Sequence, residues 1–164
     1  MNVINVDSLA PVVSVAPEYT AAMEIILTAV LESEGISNYT INLVLCDDET
    51  LGELKERYFH VHQYTDVIAF RLNTDADTDT NADNSNANND EIEGEIYISL
   101  PRVKANARTY QQQLGCELAR VIIHGGLHLI GYDDEDIDSK KAMREKEDSY
   151  LREINWQILN DVQA

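Results

Sequence analysis

The amino-acid sequence predicts an α+β fold, a small mixed β-sheet covered by helices. Three observations carry this reading. Segments rich in β-branched and aromatic residues recur at Tyr39 to Cys46, Asp66 to Leu72 and Glu95 to Leu100. Around them, apolar residues recur at helical spacing. The chain has 164 residues, 44% of them hydrophobic, which suits a single domain with a real core.

The elements follow in order. Val3 to Val6 and Val12 to Val15 are each expected as a short edge strand. From Pro17 to Ser33, the positions Met23, Ile26, Leu27, Val30 and Leu31 mark one face of a helix, and Gly35 stops it. Tyr39 to Cys46 (YTINLVLC) alternates as a strand does. Asp47 or Asp48 then caps a helix to about Tyr58, with Leu51 and Leu54 inward. Asp66 to Leu72 is a second strand, and Glu95 to Leu100 a third. Pro101 suits a first helical position, opening a helix to about Tyr110. Another helix starts near Gln113 and carries Leu114, Leu118, Val121 and Ile122 on to Gly131. The last runs from about Asp138 to Trp156, with Met143, Tyr150, Leu151 and Ile154 inward.

Between the second and third strands lies a run of Asp, Asn, Thr and Ala without periodicity, at about 73–90. It has too little apolar surface to offset the entropy of ordering, and is expected to be a disordered acidic loop. Asp75, Asp77 and Asp79 resemble the start of a calcium loop. The glycine and terminal glutamate of an EF-hand are missing at their offsets, so the loop reading prevails.

The net charge is −18. Removing the seven carboxylates between Asn73 and Glu93 from that figure still leaves −11. Such a field repels nucleic acid globally, so an RNA partner requires local cations or a metal. Cys46 and Cys116 form no CxxC and read as small core residues in a reducing compartment. There is no basic, apolar leader and no run long enough to span a bilayer. A cytoplasmic protein without membrane partners is expected.

The chemistry is concentrated in His124-Gly125-Gly126-Leu127-His128-Leu129-Ile130-Gly131-Tyr132-Asp133-Asp134. A helix places residues i and i+4 on one face, so both imidazoles can meet at one point. Gly131 can end the helix with positive φ and let the chain fold back, offering Asp134 as a third ligand. Two nitrogens and one carboxylate leave a tetrahedral zinc an open position, as in catalytic sites, with one Zn2+ per chain expected. A single histidine on an apolar helix is more often an ordinary core residue. Two side by side leave four ring nitrogens to satisfy, which favours a metal. Asp133, Glu135 and Asp136 are further candidates, and His60 and His62 read as a polar loop pair.

The spacing matches the second half of the HExxHxxGxxH pattern of zinc hydrolases, with Asp in the last place. Gly125 stands where those proteases carry their general base. No other base is assigned from the sequence. Gly125 and Gly126 are expected to keep the helix face low for a bulky substrate.

HGGLHLIGYD resembles the HGxLHLxGYDH signature of the YbeY family of endoribonucleases, the rRNA maturation factors. TDVIAF at Thr65 to Phe70 resembles that family's TDVLSF strand, and GEIYIS at Gly94 to Ser99 its GDIxIS strand. Met143 and Glu147 resemble the MxxxE that follows. The likeness spans about Tyr39 to Leu151. It implies a helix arrangement like that of zinc hydrolases, zinc held at the positions of His124, His128 and Asp134, and single-strand-specific cleavage of RNA. It further implies maturation of ribosomal RNA, chiefly the 3′ end of small-subunit RNA, ribosome quality control, and ribosomal particles as partners. Two residues depart from the pattern. Asp134 replaces a histidine, an acceptable exchange at zinc. Phe59 stands where the family usually has an arginine, with Arg57 two residues earlier.

The expected function is therefore that of a zinc-dependent endoribonuclease. The alternatives are another zinc hydrolase such as a peptidase, or a zinc-stabilised assembly factor that binds a ribosomal protein or an assembly GTPase without catalysis. Thr65 and Asp66 are expected to line the site. Arg71, Arg102, Lys104 and Arg108 are candidates for phosphate contacts.

Overall fold

A computed structural model describes residues 2–12, 15–60, 65–73 and 91–162. Its strands are β1 (Asn2–Ser8), β2 (Asn38–Cys46), β3 (Val67–Arg71) and β4 (Glu91–Ser99). Its helices are α1 (Pro17–Ser33), α2 (Asp48–Phe59), α3 (Leu100–Thr109), α4 (Leu114–Leu129) and α5 (Ile137–Glu153), followed by a 3-10 turn at Gln157–Asp161.

The four strands form one sheet in the order β1-β2-β4-β3. β1 and β2 run parallel with Ile4 beside Ile41, and β2 and β4 run parallel with Leu43 beside Ile96. Parallel neighbours need a crossover, and α1 supplies it between β1 and β2. β3 lies antiparallel on the outer side of β4, with Ala69 beside Ile96. The predicted mixed sheet covered by helices is the observed fold.

Alternation along β2 sends Tyr39, Ile41, Leu43 and Leu45 into the main core, with Ile96 and Ile98 of β4, α1 and α4. Cys46 and Ile68 face the other way, under Leu51 of α2, with Phe70 and Tyr97 beside them. Both cysteines are free, and burial together with Asp47 and Asp48 pushes the Cys46 thiol up to about 12. Such a thiol packs as a small apolar group.

Several boundaries differ from the sequence reading. Val12 and Val15 are not in a strand; Val12 donates to the Leu9 carbonyl at 2.9 Å, closing a turn that takes the N–H a strand would need. Val13 and Ser14 lie outside the described residues. β4 begins at Glu91, earlier than expected, because it pairs with β2 along its whole length. Leu100, not Pro101, opens α3, and the Ser99 hydroxyl caps it by accepting from the Arg102 amide at 3.2 Å. Asp47 caps α2, accepting from the Thr50 amide at 2.9 Å. α5 stops at Glu153, before Trp156, whose indole N–H donates back to the Leu151 carbonyl at 3.2 Å. The acidic segment expected to be disordered falls, from residue 74 to 90, outside the described residues. Among the described residues no helix is long and apolar enough to cross a membrane.

α4 lies between the sheet and the other helices, packing on α1, α3, α5, β3 and β4. Gly125 and Gly126 make this approach possible. A Cβ on Gly125 would sit 2.9 Å from Cγ2 of Ile96, and one on Gly126 would sit 2.8 Å from Cδ1 of Leu27. Both glycines are buried in this packing, and Gly125 also lines a cavity beside His124 and His128. The turn after α4 is tied to the end of α1 through Glu34. Its carboxylate accepts from the Tyr132 hydroxyl at 2.8 Å, the Lys146 ammonium at 2.8 Å, and the Tyr150 hydroxyl.

The Ile96 methyl is branched from Cβ and cannot swing away, whereas the Leu27 methyl is the end of a flexible chain. G125A should therefore lose about 1–2 kcal/mol in denaturant unfolding, overpacking exceeding the roughly 1 kcal/mol gain in helix propensity. G126A should stay within about 1 kcal/mol of wild type. For Glu34, burial acts to raise its pKa, but bonds from Lys146, Tyr150 and Tyr132 outweigh it and hold the carboxylate below 4.5. Its stabilisation is present above pH 4.5 and is lost as pH falls through the lowered value. E34Q should flatten the loss of thermal stability over that acid range while lowering stability at neutral pH.

Candidate metal centre

α4 is apolar on nearly every side, yet two of its residues in one i, i+4 row are imidazoles. The rings of His124 and His128 stand edge to face, 4.5 Å between centroids, with their Nε2 atoms 3.0 Å apart. Helix α4 ends at Leu129, and Gly131 takes φ +108°, a conformation suited to glycine. Tyr132 then donates its amide back to the Leu127 carbonyl at 3.1 Å, turning the chain toward the histidines. Asp134 arrives with Oδ2 3.4 Å from His124 Nε2 and Oδ1 3.5 Å from His128 Nε2. One atom from each of the three side chains lies within 4.8 Å of the other two, a group that can hold a metal ion.

The back of His124 is fixed by α5. Its Nδ1 lies 2.6 Å from Oε2 of Glu147, a residue only 4% exposed. The other Glu147 oxygen accepts from Arg120 at 2.9 Å, and Arg120 also meets Asp148 at 2.6 Å. With Nδ1 engaged, Nε2 is the atom turned to the cluster, an arrangement typical of histidines that bind metals. Burial acts to lower the His124 pKa, but Glu147, with Asp134 and Asp66, outweighs it and holds the ring above 6.5. Burial and the neighbouring His124 hold His128 below 6.5.

Asp66, at the start of β3, stands beside His124. Its backbone carbonyl accepts from the Ser99 amide at 3.0 Å and its side chain from Asn106 at 3.4 Å. Burial raises its pKa despite the nearby His124. Glu117, buried on α4, is likewise raised by burial and by Asp66.

Two cavities flank the three-residue group. The larger, about 790 Å³, is walled by Lys55, Phe59, Thr65, Glu135, His128 and strand β3. The smaller, about 350 Å³, is walled by Asn106, Tyr110, Glu117, Arg120, Lys140 and Arg144, among others. His124, Asp134, Asp66 and Val67 belong to both.

The structure thus gathers His124, His128, Asp134, Thr65 and Asp66 at one place. Glu135 also lines the larger cavity, while other candidates fall elsewhere. Arg71 acts in the structure as a staple and walls neither cavity. Its guanidinium donates to Asn73 at 3.0 Å and to the carbonyls of Glu91 and Leu129 at 3.2 and 3.4 Å. Arg102 is held by Asp48 at 2.6 Å. Lys104 and Arg108 wall neither cavity. Asp136 caps α5 in a reciprocal box with Ser139. His60 ends α2 with φ +57° and walls neither cavity, and His62 is outside the described residues. Arg57, in the last turn of α2, does not reach the cavities, whereas Phe59 does. Sequence reasoning passed over Lys140 and Arg144. Their signal was available, because Lys140, Met143, Arg144 and Glu147 form one i, i+3, i+4, i+7 stripe on α5.

Residues 6–155 match the family model described as endoribonuclease YbeY. A protein named endoribonuclease YbeY from Chlorobium limicola is 37% identical over 122 residues, covering 74% of this chain and 75% of its own. One of the same name from Desulforamulus reducens is 30% identical over 150 residues, covering 91% and 95%. The solution structure of TM1509 from Thermotoga maritima superposes with a TM-score of 0.59 at 26% identity, over 92% of this chain and 87% of that one. With a match over nearly its whole length, a shared fold and the HGGLHLIGYD run at the centre of its cleft, this chain belongs to the endoribonuclease YbeY family.

Proposed function

We propose that this chain is a zinc-dependent endoribonuclease that hydrolyses single-stranded RNA, acting as one hydrolase domain on ribosomal RNA in the cytoplasm. Maturation of the small-subunit 3′ end and ribosome quality control are the roles that fit this activity. The observation that carries the reading is the convergence of His124, His128 and Asp134 between two cavities. The activity named for the relatives supports RNA as substrate.

The donor set fits the ion. Two imidazole nitrogens and one carboxylate oxygen suit zinc and leave room for substrate. His124, His128 and Asp134 would hold it, and when bound it supplies Lewis acidity toward water and a phosphoryl oxygen. The protein's part is orientation and proton handling. Glu147 keeps the His124 ring turned so that Nε2 faces the cluster. Asp66 borders both cavities, and its raised pKa suits it to accept a proton at a carboxylate oxygen. Gly125 argues against a peptidase of the HExxH kind, because it offers no carboxylate where that pattern has its general base.

Protons and metal compete for His124, whose pKa is raised by Glu147, so zinc affinity should fall about tenfold per pH unit below that raised pKa and level off above it. E147Q should move the inflection to lower pH, since the carboxylate that raises His124 is gone. At pH 8 it should also bind zinc about 10–100-fold more weakly, by competition titration with a chelator. In the activity test, D134A and H128A should lose zinc and lower cleavage of a single-stranded RNA at least about a hundredfold, while casein stays uncut by every form. Full activity in a zinc-free D134A would favour the assembly-factor alternative.

A further inference from the structure

The chain is strongly acidic, yet its proposed substrate is a polyanion, so the cations near the cluster decide how RNA is held. Arg120 walls the smaller cavity, but its charge is taken by Glu147 and Asp148 at 2.9 and 2.6 Å. Lys140 and Arg144 are different. They stand one turn apart on α5, both exposed, at the rim of the same cavity. Among the described residues, neither side chain makes a hydrogen bond or ion pair. Their placement is fixed, because the Asp136–Ser139 capping box anchors the start of α5 and buried Met143 and Glu147 anchor the same face. Deeper in the cavity the wall is acidic, with Asp66, Glu117 and Glu147, so a phosphate is accommodated only at the rim.

The larger cavity is built differently. Phe59 stacks on Phe70, centroids 5.7 Å apart and planes 14° apart, while 47% of Phe59 remains exposed in the cavity wall. Lys55 lies one turn earlier on α2 and lines the same wall. An aromatic face backed by a second ring and flanked by a cation is a platform for a nucleobase. His124 and Asp134 border both cavities, so a strand longer than one nucleotide can reach from one to the other across the cluster.

Resting on the RNA-hydrolase reading above, we infer that the two cavities form one path for a single RNA strand, with Lys140 and Arg144 gripping a phosphate next to the cleaved one and Phe59 stacking a base on the opposite side. The path also selects single strands, since a base stacked on Phe59 has left its duplex neighbours.

The two halves have different salt signatures. Zinc-loaded protein is titrated with a fluorescein-labelled single-stranded RNA 12-mer across a series of KCl concentrations, and cleavage of the same oligomer is followed. Neutralising two phosphate contacts in K140Q/R144Q should weaken binding about tenfold at 0.1 M salt and flatten the slope of log affinity against log salt by about 1.4. F59L keeps an apolar side chain on Phe70 but removes the aromatic face. It should weaken binding about tenfold with the slope unchanged. Zinc content should match wild type in both. Wild-type affinity and slope in K140Q/R144Q overturn the phosphate grip even while wild type cleaves RNA. Wild-type affinity in F59L overturns the stacking platform, and tighter binding of a duplex 12-mer overturns the path. If zinc-loaded wild type neither binds nor cleaves RNA, both this inference and the RNA-hydrolase reading fall.

Discussion

Glu147 carries a carboxylate into a place where 4% of the residue meets solvent, and an ionised group there is tolerable only with close partners. It has two, His124 at 2.6 Å and Arg120 at 2.9 Å, and both come from α4. One side chain thereby sets the rotation of the His124 ring, locks α5 along α4 and balances the charge of Arg120. The rest of the cluster depends on this contact. With His124 fixed from behind, its Nε2 faces Asp134 and His128 rather than the core. The stripe on α5 that begins with Lys140 is brought to the cavity rim by the same docking.

Much of this was legible in the chain, and the reasons are local. α1, β2 and α4 were readable because their apolar positions keep a strict period, and the histidine pair because an i, i+4 spacing needs no knowledge of the fold. Asp134 follows from the glycine turn three residues before it. What escaped was whatever depends on contacts distant in sequence. Glu34 joins α1 to Tyr132 and Tyr150 across 98 and 116 residues, and nothing around it announces that role. Arg71 looked available for phosphate because its carbonyl partners carry no sequence signal. That Gly125 and Gly126 also let α4 approach Ile96 and Leu27 could not be read from their neighbours in sequence. The early strand at Val12 failed because a turn hydrogen bond competes for the same amide.

The electrostatics of the chain and of the cleft point in opposite directions, and distance reconciles them. Most of the −18 charge is spread over surface carboxylates, whose influence falls off over about 8–10 Å at ordinary salt. Within that range of the cluster the balance is local. Arg120, Lys140 and Arg144 face Asp66, Glu117, Asp134 and Glu147 in the smaller cavity. The carboxylates lie inward, around His124. Lys140 and Arg144, which make no ion pair among the described residues, lie outward at the rim. The sign of the field at this cavity is thus set by a few neighbouring groups rather than by the net charge of the chain.

The staple at Arg71 has a consequence for strand register. β3 and β4 are antiparallel neighbours. Arg71, which ends β3, and Asn73 both donate to the Glu91 carbonyl at the start of β4, and Arg71 also reaches the Leu129 carbonyl at the end of α4. A slip of β3 against β4 would break its contacts to the neighbouring strand and to the histidine helix together, so the pairing that sets Asp66 and Val67 beside His124 is guarded from its far end.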